Sequence, residues 1–258
     1  MTISIITVVY NGADTIADAI ESVLGQSYAP IEYIIIDGAS TDGTTSIVRS
    51  YGECISRFVS EPDQGLYDAM NKGIAAATGE VIGILNADDL YRHSDTISRV
   101  MALFQQPGVD AVYGDLVYAQ REQPDQITRY WQAGSYRPGA FLKGWMPPHP
   151  TFFVRAALYR SLGLFTTSLH SAADYELMLR FIHKHQIRVA YLPEVVVVMR
   201  MGGVSNSSLS NRLRANREDR LAWQLNGLKP HWLTLWLKPL RKLAQFFPWT
   251  TRPFTNQS

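Results

Sequence analysis

Three runs of consecutive apolar residues near the start of the chain constrain its fold more than any other feature. The runs cover residues 3–10 (ISIITVVY), 31–37 (IEYIIID) and 80–86 (EVIGILN). Continuous β-branched runs of this length are typical of strands that are buried on both faces of a parallel sheet. Segments with helical spacing separate the runs, at 13–26, 43–51 and 66–77. This alternation predicts an α/β fold with a mainly parallel central sheet flanked by helices.

The remainder of the chain is less regular. The further predictions are strands at 56–60, 109–118 and 151–154, helices at 94–106, 155–161 and 173–185, and an extended segment at 187–200. Residues 127–150 contain two tryptophans with several prolines and glycines, and we expect a long structured loop there. The small residues at 202–208 predict a flexible loop. We therefore divide the chain into a domain at 1–205 and a helical, basic C-terminal segment at 206–258.

Charge, cysteine content and hydropathy argue against several classes of protein. The formal net charge of +1 argues against a nucleic-acid-binding protein. Cys54 is the single cysteine, so no intrachain disulfide can form, as suits a reducing compartment. The N-terminus lacks the basic segment and cleavage site of a signal peptide, and no window approaches the roughly 18 apolar residues of a membrane-spanning helix. We expect a cytoplasmic protein that does not cross a membrane.

Acidic and amide side chains follow two of the predicted strands at the point where each strand ends. Asp37 closes the second apolar run, and residues 86–89 (NADD) close the third. Ligands of open parallel sheets bind outside the carboxyl ends of the strands, so we expect these side chains to meet at one site. Carboxylates there suit Mg²⁺ or Mn²⁺ held together with substrate phosphates. An isolated Asp-Asp pair is more often a turn or a helix cap, but the strand-end position favours a metal site.

Several ordered motifs together resemble one family. Residues 4–11 (SIITVVYN), 36–44 (IDGASTDGT) and 86–89 (NADD) are similar to the family 2 glycosyltransferases, which have the GT-A nucleotide-diphospho-sugar transferase fold. Residues 60–74 (SEPDQGLYDAMNKGI) resemble the bacterial exopolysaccharide and colanic-acid members in particular. The likeness covers residues 1–205. It implies inverting transfer of a sugar from a nucleotide-diphosphate donor, expected to be a UDP-sugar, to a saccharide acceptor, with Mg²⁺ or Mn²⁺ as the cofactor.

The resemblance assigns roles to individual residues. The residues expected to contact the nucleotide sugar are Val9, Tyr10, Asn11, Asp37, Asp68, Asn71, Lys72, Asn86, Ala87 and Arg200. Asp37 matches the residue that hydrogen-bonds the base. Asp88 matches the metal-binding carboxylate, with Asp89 beside it as a second metal residue. Asp68 and Lys72 are also spaced to form a surface ion pair, an alternative that the sequence leaves open.

Inverting transfer needs a group that takes the proton of the attacking hydroxyl, and a carboxylate is the usual choice. Asp174, in the stretch 171–180 (SAADYELMLR), matches the family's catalytic base, and Glu176 is a second candidate. A carboxylate in the first turn of a helix also interacts with the helix dipole, so a capping role for Asp174 stays open. His149 is expected to contact the acceptor, with a structural loop histidine as the alternative.

Three positions depart from the family pattern. Asn86 stands where many relatives have an aspartate, Ala173 where many have an acid, and Met201 where many have a metal-ligating histidine. These departures keep a non-catalytic binding or scaffold subunit open as an alternative. A nucleotidyltransferase that forms the nucleotide sugar is another. That class usually needs a basic, glycine-rich triphosphate loop after the first strand, and residues 10–20 (YNGADTIADAI) contain no Lys or Arg.

The C-terminal residues 229–258 combine five Lys and Arg residues and no acid with many leucines and aromatics. This composition is typical of a segment in a membrane interface, where each base near an anionic surface contributes about 1 kcal/mol. We expect the segment to bind the inner face of the cytoplasmic membrane and bring the enzyme to a polyprenyl-lipid-linked saccharide acceptor. A helix packed back on the domain, with its bases solvated, is the alternative.

Overall fold

One mixed β-sheet forms the centre of the molecule, and helices cover both of its faces. The computed structural model describes residues 1–202, 209–231, 234 and 237–238, and for 209–215 it describes the backbone alone. The strands are β1 (Ile3–Val9), β2 (Ile31–Asp37), β3 (Arg57–Ser60), β4 (Val81–Asn86), β5 (Asp89–Tyr91), β6 (Ala111–Ala119), β7 (Ile127–Trp131), β8 (Phe153–Arg155) and β9 (Val189–Arg200). The helices are α1 (Ile16–Leu24), α2 (Thr44–Ser50), α3 (Leu66–Ala76), α4 (Thr96–Phe104), α5 (Ala156–Leu162), α6 (Ala173–Met178) and α7 (Leu209–Leu225).

The sheet brings six strand ends to one edge. Its order is β3-β2-β1-β4-β8-β6-β9-β5, with β7 paired to β6. Within the parallel part, Val9 of β1 pairs with Asp37 of β2, and Val8 pairs with Asn86 of β4. Strand β8 is antiparallel to both β4 and β6, so β6 points the same way as β4. Strand β9 is parallel to β6. The carboxyl ends of β1, β2, β3, β4, β6 and β9 therefore lie along one edge, which we call the carboxyl edge.

Alternate residues of the strands pack into two cores on opposite faces of the sheet. In β1, Ile6 and Val8 belong to one core, whereas Ile5 and Val9 belong to the other. Side chains of a strand point alternately to its two faces, so a strand covered on both sides needs a continuous apolar run. Helix α3 lies close against β1, because a Cβ added at Gly73 would come within 2.3 Å of the Ile6 side chain.

The predicted α/β architecture is confirmed, and the run at 31–37 coincides with β2. The predicted loop at 127–150 is wrong at its start, because residues 127–131 form β7 beside β6. Strand β5 was not predicted, since its three residues, which begin at the last residue of the NADD motif, are too few to show a period. The helix predicted at 173–185 is α6 followed by a π-helical segment, Leu179–Lys184.

The described part of the C-terminal segment packs on the domain. Helix α7 buries Trp223, whose Nε1 donates a hydrogen bond to the Tyr175 hydroxyl at 2.9 Å. Further along, the Lys238 ammonium pairs with Asp219 at 2.6 Å and lies 3.7 Å from the centre of the Tyr175 ring. The alternative of a segment packed on the domain therefore holds for these residues, although Lys238 is paired rather than solvated. The predicted loop at 203–208 and residues 239–258 lie outside the described residues.

Within the described residues, none of the helices combines the length and the apolar character that crossing a bilayer requires.

Replacing Trp223 with alanine should lower the free energy of unfolding by about 3–5 kcal/mol, because the change removes a buried aromatic side chain and its hydrogen bond. Urea denaturation followed by circular dichroism measures the loss. Leu225 lies on the outer face of the same helix and is 52% exposed, so Leu225→Ala should cost less than about 0.5 kcal/mol. Equal losses in the two variants would contradict the packing of α7 on the domain.

Candidate active site

Asp37 ends β2 at the carboxyl edge and is fully buried. Its Oδ2 accepts hydrogen bonds from the Ser60 hydroxyl at 2.6 Å and from the Ser40 backbone N–H at 3.0 Å. Its Oδ1 is buried and has no partner among the described residues. An unsatisfied buried acceptor costs about 1–3 kcal/mol, so this oxygen is available to a donor that a ligand brings.

The loop after β1 is tied to the loop after β2. Asn11 has a φ of 51°, in the left-handed region that asparagine adopts more readily than most residues. Its backbone N–H donates to the Ser40 hydroxyl at 2.7 Å, and its side-chain oxygen accepts from the Thr41 N–H at 2.9 Å. The Val9 carbonyl accepts from the Gly38 N–H at 2.9 Å. These bonds give Asn11 a role in shaping the loops at the carboxyl edge.

Tyr10 is 67% exposed although it directly follows a buried strand. A Cβ added at the neighbouring Gly38 would lie 3.4 Å from the Tyr10 ring and 2.4 Å from a carboxylate oxygen of Asp63. A side chain at position 38 would therefore displace the Asp63 carboxylate, whereas its contact with the Tyr10 ring would be an ordinary one. The result is an exposed aromatic ring beside the end of the strand that carries Asp37, an arrangement that suits a flat, hydrogen-bonding ring such as a nucleobase.

The residues after β4 form a compact acidic group. Asn86 donates a hydrogen bond from Nδ2 to Asp89 Oδ2 at 2.9 Å. An ionised aspartate at 86 could not donate this bond and would add another negative charge, so the departure from the family pattern has a local structural reason. The Oδ1 atoms of Asn86 and Asp89 are both buried without a partner among the described residues. Ala87 is buried between them in the chain.

Ionisation of this acidic group is opposed by its surroundings. Burial raises the pKa of Asp88, while the charges of Arg121 and Arg200 act in the opposite direction. Burial also raises the pKa of Asp89 well above its usual range, and the neighbouring charge of Asp88 adds to the effect. Two adjacent carboxylates of this kind are costly to ionise together, and a divalent cation offsets that cost.

The acidic group fits a cation that arrives together with a diphosphate. No cluster of three or more His, Cys, Asp or Glu suited to a metal ion occurs in the described part of the chain. Mg²⁺ is often held by only one or two carboxylates plus substrate phosphates. Asp88 is the more accessible of the two acids, since Asp89 is fully buried. Direct coordination therefore favours Asp88, and a ligand role for Asp89 stays a prediction.

Arg200 ends β9 and is 5% exposed. Its guanidinium forms an ion pair with Asp18 of α1, and its charge also acts on Asp88 and Asp89. In the structure this arginine is a counter-charge to Asp18, Asp88 and Asp89. Its expected contact with a donor phosphate stays a prediction. Met201, which follows it, is 43% exposed.

Asp174 lies in the first turn of α6. Its Oδ1 accepts hydrogen bonds from the Tyr175 N–H at 2.7 Å and from the Tyr67 hydroxyl at 3.3 Å. Burial raises the pKa of Tyr118, near the end of β6, and Arg129 opposes the rise, while the charges of both Asp89 and Asp174 add to it. Both carboxylates are therefore within electrostatic reach of this tyrosine.

The prediction of Glu176 as a second candidate for the catalytic base is wrong. Its side chain is 3% exposed and forms an ion pair with Arg180 at 3.0 Å. It also accepts hydrogen bonds from Asn226 Nδ2 at 2.9 Å and from the Thr166 hydroxyl at 3.0 Å. Residues two apart on a helix face different directions, and here the second carboxylate joins α6 to α7 inside the protein.

The donor-contacting residues predicted in α3 are engaged by the protein itself. Lys72 pairs with Glu61 at 2.9 Å and with Asp68 at 3.7 Å, so the ion-pair alternative is observed. The Asn71 side chain makes two hydrogen bonds with the backbone of Phe165, one in each direction and both 2.9 Å long. Contacts of these residues with a donor stay predictions.

His149 is 8% exposed, and its ring packs edge-on against Phe165 with 5.4 Å between the ring centres. Burial lowers the pKa of His149, and the negative charge of Asp174 opposes the shift. The burial favours the alternative of a structural loop histidine, and contact with an acceptor stays a prediction.

Two tyrosines near Asp174 were missed by the sequence analysis. Tyr67 lies inside the motif at 60–74, but a tyrosine on the apolar face of a helix is usually a core residue. Tyr118 belongs to no motif. Its place near the carboxyl end of a strand, like that of Tyr10, was the one signal that could have identified it.

The order of the strands and the acidic group after β4 define a GT-A nucleotide-diphospho-sugar transferase fold. The family model described as Glycosyl transferase family 2 matches residues 4–164, and the chain belongs to this family. Over 209 residues the chain is 28% identical to a PGL/p-HBAD biosynthesis glycosyltransferase of Mycobacterium bovis, covering 79% of each protein. Over 195 residues it is 31% identical to an uncharacterized glycosyltransferase of Rickettsia typhi, covering 70% of this chain and 58% of that protein.

Solved structures share the fold. TarS 1–349 of S. aureus in complex with UDP-GlcNAc superposes with a TM-score of 0.66 at 18% identity, covering 88% of this chain and 65% of that one. The mannosyltransferase PcManGT of Pyrobaculum calidifontis, in complex with GDP-Man and Mn²⁺, superposes with a TM-score of 0.66 at 23% identity. The match covers 94% of this chain and 74% of that one. The chain spans 39% of the longer TarS chain.

Buried His149 should lower the free energy of unfolding as the pH drops below about 6.5, the usual histidine pKa, because the unfolded chain then binds a proton that this imidazole does not. His183, whose pKa burial also lowers, acts in the same direction, whereas Asp89, whose pKa burial raises, acts in the opposite one. Urea denaturation at pH 7.5 and pH 5.5 measures the slope, and His149→Asn should remove the His149 contribution from it. The exposed His185 provides the control, and His185→Asn should leave the slope unchanged. An unaltered slope in His149→Asn would contradict the burial of a neutral imidazole.

Proposed function

We propose that this chain is an inverting, metal-dependent glycosyltransferase that moves a sugar from a UDP-sugar to a saccharide acceptor in the synthesis of a bacterial surface polysaccharide. The main support is the arrangement at the carboxyl edge. Asp37 and Asn86 end the two parallel strands that flank β1, and each keeps a buried oxygen without a partner among the described residues. Asp174 lies within electrostatic reach of the same tyrosine as Asp89.

A nucleotide sugar is the donor that these groups suit. The free Oδ1 of Asp37 can accept the ring N–H of uracil, and the exposed ring of Tyr10 offers a stacking surface. TarS 1–349, a structural neighbour, was solved with UDP-GlcNAc, whereas PcManGT was solved with GDP-Man. Guanine also carries ring N–H donors, so a donor panel should include both nucleotides.

Asp88 would hold Mg²⁺ or Mn²⁺ together with the donor's phosphates, and the cation would neutralise negative charge on the diphosphate leaving group. Asp174 acts as the base. It takes the proton of the acceptor hydroxyl while that oxygen bonds to the anomeric carbon, and the bond from this carbon to the diphosphate oxygen breaks. A single displacement of this kind inverts the configuration at the anomeric carbon.

Asp174→Asn should lower kcat by about 10²–10⁴-fold and leave UDP binding intact, because it removes the proton acceptor but no donor contact. UDP release with a panel of UDP- and GDP-sugars, Mn²⁺ and saccharide acceptors measures the rate. Asp95→Asn is the matched control, since Asp95 is a half-exposed acid at the start of α4 that pairs with Arg99.

EDTA should abolish the activity of the wild-type protein in the same assay, and added Mn²⁺ should restore it. Failure of the wild-type protein to release UDP or GDP with any donor and acceptor pair would favour the scaffold alternative.

We also propose that the acceptor is lipid-linked and that the protein binds the inner face of the cytoplasmic membrane. Lys238 is paired with Asp219, so this base of the 229–258 segment is not free to contact lipid. The outer face of α7 offers other groups. Arg217 and Arg220 are exposed there with Leu221 and Leu225, whereas the acids of this stretch, Glu218 and Asp219, are buried. Exposed bases and leucines without exposed acids suit an anionic bilayer surface.

Changing Arg217 and Arg220 together to glutamine should weaken binding to vesicles that contain anionic lipid by about 25-fold, since each base contributes about 1 kcal/mol, or about fivefold. Co-sedimentation with phosphatidylcholine vesicles, with and without phosphatidylglycerol, measures the effect. Arg49 and Arg57 are exposed elsewhere on the surface, and their double glutamine variant should bind like the wild-type protein. Equal binding to anionic vesicles by both double variants would contradict a role of α7 in membrane contact.

A further inference from the structure

The two oxygens of the Asp174 carboxylate are not equivalent. Oδ1 accepts from the Tyr175 backbone N–H at 2.7 Å and from the Tyr67 hydroxyl at 3.3 Å. Oδ2 has no hydrogen-bond partner among the described residues. The first oxygen is therefore fixed by the protein, and the second is available to a hydroxyl that approaches from the cleft.

Tyr67 is held firmly enough to orient this carboxylate. Its ring is 9% exposed and stacks on Phe165, with 5.5 Å between ring centres and 26° between ring planes. One turn further along α3, Asn71 clamps the backbone of Phe165 through two hydrogen bonds of 2.9 Å. Helix α3 and the segment around Phe165 thus fix the position of the tyrosine ring and hydroxyl.

The Tyr67 hydroxyl is held in its protonated form and so acts as the donor of this hydrogen bond. Burial raises its pKa well above the usual range, and the negative charge of Asp174 adds to the rise. The hydrogen bond of 3.3 Å to Oδ1 therefore ties the tyrosine to the first turn of α6.

We propose that Tyr67 is a positioning residue for the catalytic base: its hydroxyl fixes Oδ1 of Asp174 so that Oδ2 faces the acceptor hydroxyl and takes its proton. This inference rests on the proposed glycosyl transfer. The proton moves from the acceptor oxygen to Oδ2, that oxygen bonds to the anomeric carbon, and the electron pair of the broken bond leaves with the nucleoside diphosphate. Without the tyrosine hydroxyl, Oδ1 keeps only the bond from the Tyr175 N–H, so the carboxylate is held less firmly, and a small misplacement of a reacting group is costly.

The test compares Tyr67→Phe with the wild-type protein in the UDP-release assay. The change keeps the ring and its stacking on Phe165 and removes only the hydroxyl. We expect kcat to fall by about 10- to 100-fold with little change in KM for the donor. A fall in kcat without a change in KM, measured while the variant stays folded, is the result that distinguishes a positioning role from a general loss of folded protein.

Tyr33→Phe is the matched control. Tyr33 is buried at 1% exposure and shares one hydrogen bond of 3.0 Å with Thr7, in the core on the other face of the sheet. It should lose stability like Tyr67→Phe in thermal denaturation but keep kcat. A kcat within twofold of wild type in Tyr67→Phe, or an equal loss in both variants, would overturn the positioning role. Full activity in Asp174→Asn would instead overturn the proposed catalytic base. This variant therefore distinguishes a failure of the proposed function from a failure of the Tyr67 positioning role.

Discussion

The parallel pairing of β1 with β2 and β4 is the interaction on which the candidate site depends. Its register sets Val9 beside Asp37 and Val8 beside Asn86, so the polar ends of the strands meet at the same edge. A slip of one residue would turn each strand-end side chain to the opposite face of the sheet. The two cores oppose such a slip, because each depends on alternate residues of the same strands.

The site lowers the stability of the protein locally, and the surrounding structure offsets this loss. The side chains of Asp37, Asn86 and Asp89 each bury an oxygen without a partner among the described residues. Groups of this kind are retained where function needs them and the surrounding structure holds them in place. Here the support comes from the loop ties at Asn11 and from the clamp between Asn71 and Phe165.

The sequence was sufficient to predict the elements that build the site, because strands covered on both faces leave unbroken apolar runs such as the one that ends at Asp37. It was not sufficient for contacts that depend on tertiary approach. Asn71 meets Phe165, which lies 94 residues further along the chain, and no local pattern signals that pairing. The inward position of Glu176 depends on the placement of α7. Strand β7 forms because β6 offers a neighbour to pair with, which the local composition of residues 127–131 did not indicate.

The amide at position 86 has a consequence for how a cation and a nucleotide would load. With Asp88 as the one accessible carboxylate of the group, the protein alone offers a divalent ion few charged ligands. Most of the attraction would come from the nucleotide's own phosphates. Each of the two would then strengthen the binding of the other by the same factor, because coupling between two bound species is reciprocal. Such a site would stay largely free of metal between turnovers and would acquire the ion with each new donor.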